Sequence, residues 1–216
     1  MQNKLRDMTS IIIDTNEVNN KLKKINLTQK ILIEACQAGV LAKSNSSFFD
    51  TKGQPGYIQW NDTNSRLRIL THNKDWEIYQ ENGIEGIISK DKKTRIIPSS
   101  GNAGTGNPNV PSSNKNPKGI GSIKLFENCK QLNIFTNHIE EKFEECETYI
   151  LLYYSNDREL SMELSIPRLI DSHGKIKAWK ERIILAKQPL NDPYIPQNKP
   201  NETDIDIPVI RKQVGG

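Results

Sequence analysis

The feature that most constrains the fold is a strict alternation of apolar and polar residues over 159–166. The apolar positions are Leu160, Met162, Leu164 and Ile166, and the polar positions are Glu159, Ser161, Glu163 and Ser165. Side chains alternate between the two faces of a strand, so this pattern predicts a strand with one face in the core. Residues 148–154 are apolar on both faces, which is typical of a central strand, and residues 175–185 predict a third strand. With Asn156-Asp157 as a turn, the three segments predict an antiparallel β-meander.

A second meander is predicted earlier in the chain. Residues 76–80, 84–88 and 94–97 are short runs rich in isoleucine and aromatic residues. Asn82-Gly83 separates the first two runs, and this dipeptide between apolar runs is a strong hairpin signal. Residues 90–93 supply the second turn.

Helices are predicted on both sides of this second meander. Thr28 is a candidate N-cap for a helix that ends near Lys43, because Ile31, Ala35, Ala38 and Ala42 recur at helical spacing. Residues 61–72 predict a short helix, and residues 120–133 predict another. Gln54-Pro55-Gly56 has the composition of a turn.

These patterns together predict the α+β class. We expect a mixed or antiparallel sheet, made of two short β-meanders, packed with two to four helices. Residues 28–187 are expected to form a single domain, residues 1–27 a polar arm and residues 188–216 an extended, proline-rich tail.

A long loop, residues 98–119, interrupts the predicted domain. Val110 is its one large aliphatic residue, and the rest is mainly Gly, Pro, Ser and Asn. Loops of this length inside a domain are usually functional or disordered. Gly104 and Gly106 would let the backbone approach a phosphate closely, although no Walker A or dinucleotide-binding motif is present.

Basic residues before and within this loop predict contact with phosphate. They are Lys90, Lys92, Lys93, Arg95, Lys115 and Lys118. A continuous rim of this kind would bind nucleic acid, or a nucleotide, with a strong dependence on salt. The whole chain is only mildly basic, with a net charge of +4 and a pI near 8.8.

Two other functions are compatible with the sequence. Asp75, Glu77 and Glu85 lie on adjacent predicted strands and could serve a metal-dependent nuclease. Alternatively, the loop 98–119 and the tail 188–216 could become ordered on another protein subunit. The sequence predicts no other catalytic residue, no cofactor and no metal site, because its three cysteines and three histidines lack ligand or triad spacing.

The order of elements, with a Gly-rich loop that closes in Asn116-Pro117-Lys118-Gly119, resembles that of bacterial proteins associated with mobile elements and phage defence. The resemblance implies a bacterial complex, for example one in antiviral defence. No signal-peptide segment or membrane span is evident, so we expect a cytoplasmic protein without a membrane partner. The expected function is a non-enzymatic binding subunit that contacts nucleic acid or nucleotide phosphate through residues 90–119.

Overall fold

The described part of the chain is built around one mixed β-sheet. A computed structural model describes residues 9–72, 75–117, 119, 123, 125 and 146–190. In chain order, the elements are β1 (Ser10–Ile12), α1 (Thr15–Lys24), α2 (Gln29–Ser44), α3 (Gln54–Thr71), β2 (Trp76–Glu81), β3 (Ile84–Ser89), β4 (Thr94–Ser100), β5 (Glu147–Ser155), β6 (Glu159–Ile170), β7 (Ile176–Ile184) and β8 (Gln188–Pro189). The strands lie in the order β1-β7-β6-β5-β4-β3-β2, and β8 pairs with β6. The predicted α+β class is confirmed.

Both predicted meanders are present, and a parallel pair joins them into one sheet. Strands β2, β3 and β4 are antiparallel neighbours, as are β5, β6 and β7. The turn between β2 and β3 uses positive φ angles at Asn82 and Gly83, as the hairpin signal requires. Strands β4 and β5 pair in parallel from Thr94–Glu147 to Ser100–Tyr153.

The alternation in β6 places its two sets of side chains on opposite faces of the sheet. Leu160, Met162 and Leu164 are fully buried on the face that the helices cover. Glu163 and Ser165, on the other face, are also fully buried. The polar face of this central strand is therefore covered by another part of the chain, which is the loop described below.

The helices pack on one face of the sheet, with α2 and α3 in close contact. Thr28 caps α2 as predicted, because its side-chain oxygen accepts a hydrogen bond from the Ile31 amide. At the crossing, a Cβ added to Gly39 would lie 2.1 Å from the Thr63 hydroxyl, so only glycine permits this approach.

Helix α3 begins earlier than the sequence predicts. Its first residues are Gln54, Pro55 and Gly56, so the prediction of a turn there was wrong. Proline is tolerated in the first helical turn because the amides at that position have no intrahelical partner. The Pro-Gly pair, which commonly forms a turn, here lies in the first turn of a helix.

Part of the expected polar arm belongs to the core. Strand β1 pairs in parallel with β7, and Asp14 caps α1 by accepting bonds from the amides of Asn16 and Glu17. Val18 and Leu22 of α1 are buried against the sheet. Two apolar residues one turn apart are enough to attach this otherwise polar helix.

Two predicted segments lie largely outside the described residues. These are the helix over 120–133, of which only 123 and 125 are described, and the tail beyond residue 190. The first residues of the expected tail, Gln188 and Pro189, form β8 beside Glu159 and Leu160 of β6. Among the described helices, none is both long and apolar enough to cross a membrane.

Candidate functional site

The loop after β4 is packed on the sheet. Its buried residues are Gly101, Gly104, Thr105, Gly106, Ser112 and Asn114. The Asn114 side chain donates to the Gly174 carbonyl and accepts from the Ile176 amide, and the Trp179 indole donates to the Ser112 carbonyl at 2.9 Å. The loop is buried through hydrogen bonds more than through apolar contacts.

A buried ion pair between β6 and β7 lies under this loop. The Arg182 guanidinium donates to both carboxylate oxygens of Glu163, at 3.2 and 2.6 Å, and the two side chains are 4% and 0% exposed. The same guanidinium donates to three loop carbonyls, those of Gly104, Asn107 and Val110. Buried charges need this degree of pairing, since an unpaired charge in the interior costs several kcal/mol.

The glycines that were expected to bind a phosphate use their amides in hydrogen bonds within the protein. The amide of Gly106, a residue with positive φ, donates to the Glu163 carboxylate at 2.9 Å. The Gly104 amide donates to the side chain of Asn102, and a Cβ at Gly104 would lie 2.2 Å from the Pro111 carbonyl oxygen. Both amides are therefore directed into the protein and away from solvent.

The structure does not bring the predicted basic residues together. Arg95 is 6% exposed and lies over the Tyr79 ring at 4.2 Å. Lys90, Lys92 and Lys93 are exposed at the turn before β4, whereas Lys115 follows the other end of β4 and donates its amide to the Ser100 carbonyl. The seven residues of β4 separate the two sets by roughly 20 Å.

One of the exposed lysines already has a partner. Lys92 forms an ion pair with Glu77, and its hydrogen bond and charge lower the pKa of the Glu77 carboxyl. Lys118, which was predicted to contact phosphate with these residues, lies outside the described residues.

Two of the three carboxylates of the nuclease alternative, Glu77 and Glu85, are also apart. In the pairing of β2 with β3, Glu77 lies opposite Ile88, and Glu85 lies opposite Gln80. Glu77 and Glu85 are therefore on opposite faces of the sheet. Glu85 pairs with Arg68 of α3. Within the described ranges, no three histidine, cysteine or carboxylate side chains form a group able to hold a metal ion.

Exposed apolar side chains occur in the connection between α2 and α3 and in the flanking helical turns. We call this set the aromatic edge and define it as Leu41, Phe48, Phe49 and Tyr57. Their exposed fractions are 67%, 97%, 94% and 59%. The rings of Phe48 and Phe49 are in edge-to-face contact with centroids 5.8 Å apart. Exposed large rings this close together commonly mark a binding site.

A pocket lies where the first turns of α3 meet the end of β4, and Tyr57 is the member of the aromatic edge that lines it. Its volume is about 350 Å³. The lining residues are Gly53, Gly56, Tyr57, Trp60, Pro98, Ser99, Ser100, Asn116 and Pro117. None of these side chains is charged, and the rings of Tyr57 and Trp60 lie 5.8 Å apart. This α3–β4 pocket suits a neutral ligand with apolar rings.

The aromatic residues of this region are visible in the sequence, although no periodic pattern includes them. Phe48 and Phe49 interrupt a polar run, and Tyr57 and Trp60 are three positions apart at the start of a helix. Phe48 and Phe49, at 97% and 94% exposure, do not enter the core. No protein-family model, curated protein or solved structure matches the chain.

Proposed function

We propose that this chain is a non-enzymatic binding subunit that recognises a protein partner through the aromatic edge. The observation that carries the proposal is the near-complete exposure of Phe48 and Phe49, whose rings are in edge-to-face contact. Burial of each ring on a partner would contribute about 1.5–3 kcal/mol. Phenylalanine, tyrosine and tryptophan are also enriched in the buried cores of protein interfaces.

The separation of the basic residues supports a protein partner over a nucleic acid. The predicted rim would need residues 90–95 and 115–118 on one surface, whereas Lys93 and Lys115 flank opposite ends of β4. Hydrogen bonds within the protein already engage the glycine amides of the loop. The setting that we propose, a cytoplasmic bacterial complex, follows from the sequence resemblance.

The test is co-purification of the tagged chain from its source cells, with the double variant Phe48→Ser/Phe49→Ser. We expect the variant to lose its partner, because two lost rings weaken a complex by roughly 100-fold or more. The matched control is Ile69→Ser/Ile78→Ser, which removes two other exposed apolar side chains, 63% and 52% exposed. Retention of the partner by the phenylalanine variant would contradict the proposal.

A second candidate function is nucleic-acid binding by the turn before β4. It is favoured by the exposure of Lys90 and Lys93, whose side chains could both reach phosphates. Lys90→Gln/Lys93→Gln would then weaken binding to DNA or RNA at low salt and reduce its salt dependence. Wild-type protein without salt-sensitive binding would eliminate this candidate.

A further inference from the structure

We propose that the α3–β4 pocket binds a segment of this chain's own C-terminal tail, Pro193-Tyr194-Ile195-Pro196. This inference rests on the proposed function, since Tyr57 belongs both to the pocket lining and to the aromatic edge, so the tail and a partner would compete for its ring.

The chemistry of the pocket favours a proline-containing segment. Tyr57 and Trp60 form one wall with their rings tilted by 42°, and Pro98 and Pro117 contribute further apolar surface. Grooves lined by aromatic rings recognise Pro-x-x-Pro segments, because proline rings pack on the aromatic faces. The volume of about 350 Å³ lies at the low end of the range for ligand pockets, so it suits a short segment.

The tail contains such a segment close to the last described residue. Pro193 and Pro196 are spaced as Pro-x-x-Pro, and residues 193–198 carry no charge. The pocket lining is uncharged as well, so neither side would leave a charge unpaired on binding. Proline also restricts the backbone before binding, which lowers the entropic cost of docking.

The end of the described chain is near enough to the pocket. The Leu190 amide donates to the Arg158 carbonyl, in the turn between β5 and β6. Because β4 and β5 are parallel, this turn and the pocket lie at the same edge of the sheet. Three strand spacings, from β8 across β6 and β5 to β4, amount to roughly 15 Å. Three to six extended residues span roughly 10–20 Å, which brings residues 193–196 to the pocket.

Tryptophan fluorescence of the full chain provides the first test. Of the three tryptophans in the sequence, Trp76 and Trp179 are buried at 2% and 4% exposure, so Trp60 is the one that acrylamide should reach when the pocket is empty. We expect Trp60 to be protected from quenching in the wild-type chain. The double variant Pro193→Ala/Pro196→Ala should lose that protection, and adding Trp60→Phe to that variant should remove the quenchable component altogether.

The matched control is Pro200→Ala/Pro208→Ala, which removes two prolines from the same tail outside the proposed segment. It should leave the quenching of Trp60 at the wild-type level. Equal quenching in wild type and Pro193→Ala/Pro196→Ala would overturn the proposal.

Photo-crosslinking from position 194 of the full chain identifies the source of the segment. A benzophenone side chain there should crosslink to residues 53–60 within one chain. A crosslink between two chains, or none to residues 53–60, would overturn the proposal.

Failure here is distinguishable from failure of the proposed function. If the tail variants change nothing while Phe48→Ser/Phe49→Ser still loses the partner, only the tail inference is wrong. If both hold, Pro193→Ala/Pro196→Ala should recover more partner than the wild-type chain.

Discussion

Replacement of Arg182 by methionine should destabilise the protein by about 3–5 kcal/mol, the usual cost of removing one member of a buried ion pair. The variant would leave the Glu163 carboxylate buried, with its remaining hydrogen bonds coming from uncharged groups. The loop carbonyls of Gly104, Asn107 and Val110 would also lose their donor. Methionine keeps an unbranched apolar stem, so the loss would come mainly from the charge and its hydrogen bonds.

Urea denaturation followed by circular dichroism measures this loss. With a slope of about 1–3 kcal/mol/M, a loss of that size lowers the midpoint by more than about 1 M. The matched control is Lys180→Met on the same strand, whose ion pair with Glu147 is exposed, at 65% and 40%. Exposed pairs contribute about 0–1 kcal/mol, so this variant should remain close to wild type.

The double variant Glu163→Met/Arg182→Met separates the charge from the packing. It removes both charges, so it should recover much of the stability lost in Arg182→Met. Hydrogen exchange gives a local measure, because the Gly106 amide donates to Glu163 and should exchange faster in Arg182→Met. If Arg182→Met is no less stable than Lys180→Met, the ion pair does not hold the loop and our reasoning is refuted.

Two further outcomes follow from burial. Leu164 is fully buried, so Leu164→Ala should lower the free energy of unfolding by about 2–5 kcal/mol in the same assay, and a loss below about 1 kcal/mol would contradict its place in the core. Burial raises the pKa of the Cys36 thiol. At pH 8 a disulfide reagent should therefore label this cysteine only after urea unfolds the chain, and mass spectrometry of the labelled peptides measures this. Labelling of Cys36 in the folded state would show that α2 opens readily.

The strands were predictable because their signals are local. The hairpin at Asn82-Gly83 and the alternation over 159–166 each specify a structure within about ten residues. The parallel pairing of β4 with β5 was not predictable, because it depends on residues far apart in sequence that no periodicity connects. Two meanders could equally have formed two separate sheets.

The candidate site was harder to predict, because a polar segment is buried and apolar residues are exposed. The loop has few apolar residues, yet asparagine side chains and the ion pair under it replace apolar contacts with hydrogen bonds. Arg95 follows three exposed lysines in sequence, but its place on a strand turns it onto Tyr79. Conversely, Phe48 and Phe49 have core-forming side chains and are nevertheless almost fully exposed in the connection between α2 and α3.

The parallel pairing of β1 with β7 has a consequence for synthesis on the ribosome. Thr9 donates its hydroxyl to the Trp179 carbonyl, and these residues are 170 positions apart. At about 5–20 residues per second, β1 waits on the order of 10–30 s for its partner. A strand of three residues is a poor template for pairing with other chains during that time. When β7 emerges, β1 is already available to pair with it. The edge of β7, which is longer and more prone to aggregation, is therefore covered as soon as it is made.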